Sequence, residues 1–277
     1  MKGRNIRYSI VIPAYNEERR IGATLDEAMK YLNERNVRSE VIVVDDGSTD
    51  RTADVVMWYR RKTYRVKLVR CPHAGKGSAV RTGVNAAHGQ IVFLCDADMH
   101  EGFGECEKLE AALLGGADVA IGSRWVQHTP SHYTQPLYRR ASSRVFNACT
   151  KRLLGLQFRD TQCGLKAFTR DAAKDLFAYQ HIDGWGFDPE LLFVAARLGY
   201  KVVEVPIELH HDYRASKFRP VHDGFVTFKE LFQILWRDLL GSYPRPMPAP
   251  AVVATAAAVV AAEQSLVMDT TQHSEAA

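Results

Sequence analysis

Short apolar runs alternate with amphipathic stretches through the first hundred residues. Ser9-Ile10-Val11-Ile12-Pro13 predicts a buried strand ended by proline. Over Glu17–Asn33, Ile21, Leu25, Ala28, Met29 and Leu32 recur at helical spacing on one face. Glu40-Val41-Ile42-Val43-Val44 predicts a second, β-branched strand, stopped by Asp45-Asp46-Gly47-Ser48. A helix capped by Thr49 or Asp50 follows to about Arg61, then a strand over Val66–Val69, a helix over Lys76–Ala87 and a strand over Ile91–Cys95. Strands apolar without alternation are buried on both faces, and their regular exchange with helices predicts a parallel sheet covered on both sides.

In such a sheet ligands gather beyond the carboxyl ends of the strands. Three of those ends carry polar clusters: Ala14-Tyr15-Asn16-Glu17, Asp45-Asp46-Gly47-Ser48 and Asp96-Ala97-Asp98. They are expected to converge on one rim. In the last of them two carboxylates lie two residues apart at a strand end, where both can turn to one hard divalent cation. By itself that spacing equally suits ordinary turn chemistry.

The second half is less regular. A strand over Asp118–Ile121 leads to Gly122-Ser123-Arg124, and helices are predicted over Pro136–Leu156, Asp171–Phe177, Glu190–Leu198 and Phe225–Leu240. Val202–Leu209 reads as an edge strand because it contains Pro206. From residue 243 alternating prolines and then alanines predict a disordered or loosely helical tail over 243–277.

Composition changes this picture little. The 277 residues are 46% hydrophobic and 25% charged, ordinary for a globular protein. A net charge of +4 suits acidic small ligands or lipid phosphates without demanding nucleic acid. Five cysteines without C-x-x-C spacing point to reduced thiols in the cytoplasm rather than to zinc. No signal peptide is visible, and Ala249–Ala262 falls short of the roughly 20 residues of a membrane-spanning helix. Membrane contact is therefore expected to be peripheral, at the cytoplasmic face.

Taken in order, Ile12-Pro13-Ala14-Tyr15-Asn16-Glu17-Glu18, Val43–Asp50, Gly75-Lys76-Gly77-Ser78-Ala79-Val80-Arg81 and Asp96-Ala97-Asp98 resemble family 2 glycosyltransferases. Arg159–Lys166 and Gly184–Leu191 resemble the branch that loads a sugar onto polyprenyl phosphate, the dolichyl-phosphate glucosyltransferases first and the mannose synthases next. The resemblance spans residues 6–240. It implies the GT-A fold, a Rossmann-like α/β domain with a mixed, mostly parallel sheet and helices on both faces, here over 1–242. It also implies an inverting, metal-dependent hexosyltransferase using UDP-glucose, with GDP-mannose as the alternative donor.

The same resemblance implies roles for individual residues. Pro13, Ala14, Tyr15 and Glu17 line the base and ribose, Asp45 or Asp46 contacts the base, and Gly75 and Lys76 approach the nucleotide. Asp96, Ala97 and Asp98 meet ribose, metal and diphosphate. His100 stands where mannose synthases often carry glutamine, so Asp96, Asp98 and His100 are the implied ligands of Mg2+ or Mn2+. Ser216 and Lys217 match the family's diphosphate loop, whereas His211 and Arg214 depart from it; Lys217, alone or with Arg214, is expected to stabilise the leaving diphosphate.

Elementary chemistry divides the acceptor side. A hydroxyl acceptor needs a carboxylate base, for which Asp188 and Glu190 stand ready, although both also suit a helix start. A lipid phosphate is already anionic and needs cations instead; Arg124, Arg139, Arg140 and Arg144 offer planar guanidinium forks. Asp160, Gln162 and Trp185 are candidates for the acceptor pocket, with Trp185 stacking on a sugar or filling core. The Pro136–Leu156 helix carries an apolar stripe through Tyr138, Val145, Cys149 and Leu153 and no acid among its basic residues. It is either a solvated basic face or a membrane-surface helix. The aromatic stripe Phe225, Phe228, Leu231, Phe232, Leu235, Trp236 and Leu239 is likewise either core packing or an interfacial anchor.

Overall fold

A computed structural model of the protein describes residues 6–99, 102–124, 137–208 and 222–246, with only the backbone at 137–144 and 222–223, and among them lie seven strands and eight helices. In chain order they are β1 (Tyr8–Ala14), α1 (Ile21–Glu34), β2 (Ser39–Asp46), α2 (Thr52–Lys62), β3 (Val66–Cys71), α3 (Lys76–Asn85), β4 (Ile91–Leu94) and α4 (Glu105–Leu114). Then come β5 (Val119–Ser123), α5 (Leu137–Leu154), β6 (Lys166–Thr169), α6 (Arg170–Ala178), α7 (Phe187–Leu198), β7 (Val202–Pro206) and α8 (His222–Leu239).

The strands form one sheet in the order β3-β2-β1-β4-β6-β5-β7. β3, β2, β1 and β4 are mutually parallel, with Ile10 opposite Val41 and Phe93. β6 runs antiparallel between β4 and β5, with Lys166 opposite both Leu94 and Ile121. β7 pairs parallel to β5 at the sheet's edge, where its proline costs no ladder bond. The sheet is thus mixed and mostly parallel, and the ends of β1, β2, β4 and β5 and the start of β6 share one rim.

Alternation along the strands splits the core in two. Ile10, Ile12, Val41, Val43 and Phe93 face α1, α2 and α4, meeting Leu25, Val56 and Leu109. Val11, Val92, Leu94, Ile121 and Phe168 face the other way, against Val80 of α3, Leu176 of α6, Leu191 of α7 and Leu231 and Ile234 of α8.

Some sequence expectations shift. α1 begins at Ile21 rather than Glu17, because Asn16 adopts a left-handed backbone (φ 54°) and residues 17–20 complete a turn. α7 begins at Phe187, three residues before Glu190. Strand β6 and helix α4 have no counterpart in the sequence reading. Tyr243, placed at the head of the tail, is buried, and its hydroxyl donates to Glu190 at 2.5 Å. Residues 247–277 lie outside the described residues, as does the end of the predicted strand at Leu209.

Away from the rim, buried Glu40 accepts Ser9 Oγ and the His88 N–H, each at 2.7 Å, and Lys67 Nζ at 2.5 Å. Burial opposes its charge, but these donors overcome burial and hold the carboxyl below the ordinary glutamate value. A depressed folded-state pKa contributes stability that is complete above the unfolded value and is lost as pH falls through the folded one. Glu40→Gln should therefore melt below wild type at neutral pH, and the gap should close on acidification below about pH 4. Thermal unfolding followed across pH 3–7 checks this; a gap that does not change with pH overturns it.

Candidate active site

Two loops at the rim are hooked together by Asn16. Its Oδ1 accepts the Thr49 N–H at 2.8 Å, and its own N–H donates to Ser48 Oγ at 2.9 Å. Asp50 accepts the N–H groups of Glu18 and Thr52, tying the start of α2 to the same junction. Short polar side chains at these positions serve backbone donors that a buried sheet end leaves unpaired.

Tyr15 projects from this junction and stacks on His73, with ring centroids 4.0 Å apart and planes 15° apart. Asp46 anchors His73 from below. Its carboxylate accepts His73 Nδ1 at 2.8 Å and the Ala74 and Gly75 N–H groups at 2.9 and 3.0 Å. Asp45 is fully buried; its Oδ1 accepts the Ser48 N–H at 2.9 Å and its Oδ2 lies 3.4 Å from Arg70 Nε. Both aspartates thus organise the loops around the Tyr15–His73 pair. Pro13 and Ala14 are buried in β1, leaving Tyr15 and Glu17 as the accessible members of their motif.

Asp96 and Asp98 stand at the centre of the rim, each beside a cation. Lys76 Nζ lies 2.6 Å from Asp96 Oδ1, and Arg20 Nη1 lies 3.0 Å from Asp98 Oδ2. Glu17 grips the same arginine through Nε and Nη2 at 2.7 and 2.8 Å. Between the aspartates the Ala97 side chain joins the core and its carbonyl accepts Thr24 Oγ1 at 2.6 Å. Lys76 is held at the start of α3 by Gly75 (φ 119°), where a Cβ would come within 2.5 Å of the Asp183 carbonyl oxygen. Burial works against the charge on Lys76, but Asp96 and Asp188 outweigh it and raise its pKa above the ordinary lysine value.

The residues expected on the acceptor side lie in ion pairs with one or both partners buried. Arg124 holds Asp160 bidentately, Nε–Oδ2 at 2.6 Å and Nη2–Oδ1 at 2.8 Å, so these two predicted site residues act as one unit. Glu204 fixes the backbone beneath them by accepting the Arg159 and Asp160 N–H groups. Asp188 pairs with Lys166 at 2.6 Å, both essentially without solvent exposure, and Lys166 also donates to the Cys163 carbonyl. Glu190 accepts the His181 and Ile182 N–H groups, each at 2.9 Å, as well as Tyr243. Neither carboxylate caps α7, where the N-cap is Gly186, although both lie in its first turn. Trp185 is half-buried with Lys76 Nζ 5.0 Å from its ring centroid, and Gln162 is half-buried nearby in sequence to Asp160.

The predicted ligand His100, the clamp side chains of Arg139, Arg140 and Arg144, and the loop holding His211, Arg214 and Lys217 lie outside the described residues. Among the described residues no group of three His, Cys, Asp or Glu side chains forms a metal cage. Asp96 and Asp98, with side chains 32% and 19% exposed, instead present two carboxylates at an open rim. That donor set fits a hard cation which takes its remaining ligands from water and a diphosphate.

Sequence reasoning missed Arg20, Lys166 and His73. Arg20 left a usable signal: a cation at a helix N-terminus opposes the helix dipole and needs carboxylates to hold it there. Lys166 left none, since its partner is remote in sequence.

Similarity to known proteins agrees with this geometry. The model of the family described as glycosyl transferase family 2 matches residues 9–177, more than half of the chain. The chain belongs to glycosyltransferase family 2. This family 2 member is 34% identical over 253 residues to a dolichyl-phosphate beta-glucosyltransferase of Drosophila melanogaster, covering 86% of this chain and 77% of the relative. The human protein of that name is 34% identical over 249 residues, covering 85% and 76%. Among solved structures, glucosyl-3-phosphoglycerate synthase from Mycobacterium tuberculosis, in complex with Mn2+, UDP and phosphoglyceric acid, aligns with a TM-score of 0.64 at 23% identity, covering 88% of this chain and 80% of that one. Its complex with Mn2+, UDP-glucose and phosphoglyceric acid gives 0.63 at 22%, covering 83% and 78%. These neighbours share the GT-A fold, as the motifs imply.

Proposed function

We propose that this family 2 glycosyltransferase moves glucose from UDP-glucose onto a polyprenyl phosphate at a membrane surface, with inversion at the anomeric carbon. The observation that carries this is the state of the two candidate bases. Asp188 is engaged by Lys166, and Glu190 by two backbone N–H groups and Tyr243. A site with its carboxylates so engaged suits an acceptor that is already anionic. The names of the 34%-identical relatives, dolichyl-phosphate beta-glucosyltransferases, support the same acceptor and sugar.

In this reading a phosphate oxygen of the lipid attacks the anomeric carbon as the bond to the nucleotide diphosphate breaks, and the bonding electrons leave with UDP. Tyr15 and His73 receive the base end, and Asp46 keeps their loop in place. Asp96 and Asp98 would hold Mg2+ or Mn2+, which supplies Lewis-acid charge to the diphosphate when bound. Arg124, oriented by Asp160, faces the acceptor side. Fixed cations there stabilise negative charge where it gathers.

Membrane contact rests on α8, whose stripe divides between two environments. Leu231 and Ile234 are buried in the core, whereas Phe225, Phe232, Trp236 and Leu239 are at least half exposed. No described helix is long and apolar enough to cross a membrane. An aromatic face beside the basic helix α5 suits an anionic lipid surface.

Full-length protein incubated with radiolabelled UDP-glucose or GDP-mannose, a short polyprenyl phosphate and Mg2+ or Mn2+ tests the proposal. Label from UDP-glucose should enter the organic-soluble fraction. Label from GDP-mannose alone overturns the donor, and no label in lipid overturns the acceptor.

A further inference from the structure

The inward face of α8 carries a buried carboxylate that the sugar-transfer chemistry does not use. Glu230 Oε2 accepts the Gly186 N–H at 2.7 Å. A Cβ on Gly184 would lie 2.0 Å from Glu230 Oε1, and one on Gly186 would lie 2.7 Å from Glu230 Cβ. The carboxylate therefore lies against the backbone of the Gly184–Trp185–Gly186 turn, and a Cβ at either glycine would displace the Glu230 side chain from this position.

The other side of this turn leans on the nucleotide half of the site. The Asp183 carbonyl accepts the Ser78 N–H at 3.2 Å and sits against Gly75. Trp185 itself faces Lys76, whose ammonium is on Asp96. The turn is thus held between α3 and α8. On α8 the same helix turn that aims Glu230 inward aims Phe228 and Phe232 outward, with their rings 5.4 Å apart.

We propose that Glu230 is a positioning residue that fastens α8 to the Gly184–Gly186 turn, so that seating of the α8 aromatic face on a lipid surface sets the placement of Trp185 against Lys76. The inference rests on the membrane-surface reading of α8. A rigid contact of this kind transmits displacement, and misplacing a substrate-positioning group by about 1 Å can cost on the order of 100-fold in rate.

The test uses the full chain, UDP-glucose and a water-soluble short-chain polyprenyl phosphate, with and without anionic phospholipid vesicles. Vesicle co-sedimentation is measured separately from activity. Wild type should sediment with vesicles and turn over faster in their presence, although the acceptor needs no membrane. Glu230→Gln keeps an acceptor for the Gly186 N–H and should keep the stimulation. Glu230→Ala should still sediment but lose the stimulation, with kcat down roughly 10- to 100-fold and the KM for UDP-glucose little changed. Glu230→Asp, shorter by one methylene and still charged, should fall between them and serves if the alanine variant does not fold. Gly184→Ala should be impaired, and Gly184→Ala combined with Glu230→Ala should recover part of the loss, because the second change makes room for the first.

Failure of wild type to sediment would overturn the membrane-surface reading itself. Sedimentation with full stimulation in Glu230→Ala or Glu230→Asp would overturn the positioning role alone. Equal losses in the glutamine and alanine variants, or a double variant no better than Gly184→Ala, would also overturn it.

Discussion

Asp98→Asn should lower glucose transfer on the order of 10²–10³-fold while leaving the protein folded, the magnitude typical of removing one electrostatic stabiliser of developing charge. Asp98 is partly exposed, and its arginine partner keeps a second carboxylate, Glu17, after the change. The fold therefore loses little. In the proposed reaction the site loses one of the two carboxylates that would hold the cation at the diphosphate. Asp96→Asn should behave differently: it deprives half-buried Lys76 of its nearest counter-charge and so costs stability as well as rate. Initial rates across a Mg2+ or Mn2+ titration, with melting temperatures alongside, separate the two variants. Near-wild-type turnover by Asp98→Asn at low metal would remove Asp98 from the reaction.

The second large effect lies beneath the site. Lys166→Met leaves the Asp188 carboxylate in the interior without the cation that hydrogen-bonds it, and breaking a buried pair in this way costs about 3–5 kcal/mol. Burial already pushes Asp188 above the ordinary aspartate value, with Lys166 and Lys76 opposing that rise. Removing both charges as Lys166→Met with Asp188→Leu should recover most of the lost stability, since a well-packed apolar replacement of a buried pair is often neutral. Chemical denaturation of the single and double variants measures the difference. If the double variant is no more stable than Lys166→Met, the pair is not the source of the cost.

These two predictions also mark what could be read from the sequence. The first rests on a strand end. Continuous apolar runs forced β1, β2 and β4 into one parallel sheet, so the convergence of Tyr15, Asp46 and Asp98 followed from pattern alone. The second rests on β6, which the pattern hides. Its four residues begin with a lysine, and apolar periodicity has no means of showing that this lysine is buried against an aspartate in α7. The helix start at Asp188 and Glu190 was legible, but their partners, Lys166, Tyr243 and the backbone at 181–182, are set by tertiary packing. The α8 stripe was read as one face, yet its outer aromatics and inner aliphatics serve opposite sides of the helix.

The position of β6 bears on how the chain is made. During synthesis β1–β4 are complete long before residues 166–169 leave the ribosome. Until then β4 has β1 on one side and an unsatisfied edge on the other, made of Ile91-Val92-Phe93-Leu94. An uncharged, apolar edge of that kind invites pairing with other chains. The nascent protein is therefore most exposed to aggregation while α4, β5 and α5 are being translated, and chains truncated within that interval should be the least soluble of a nested series.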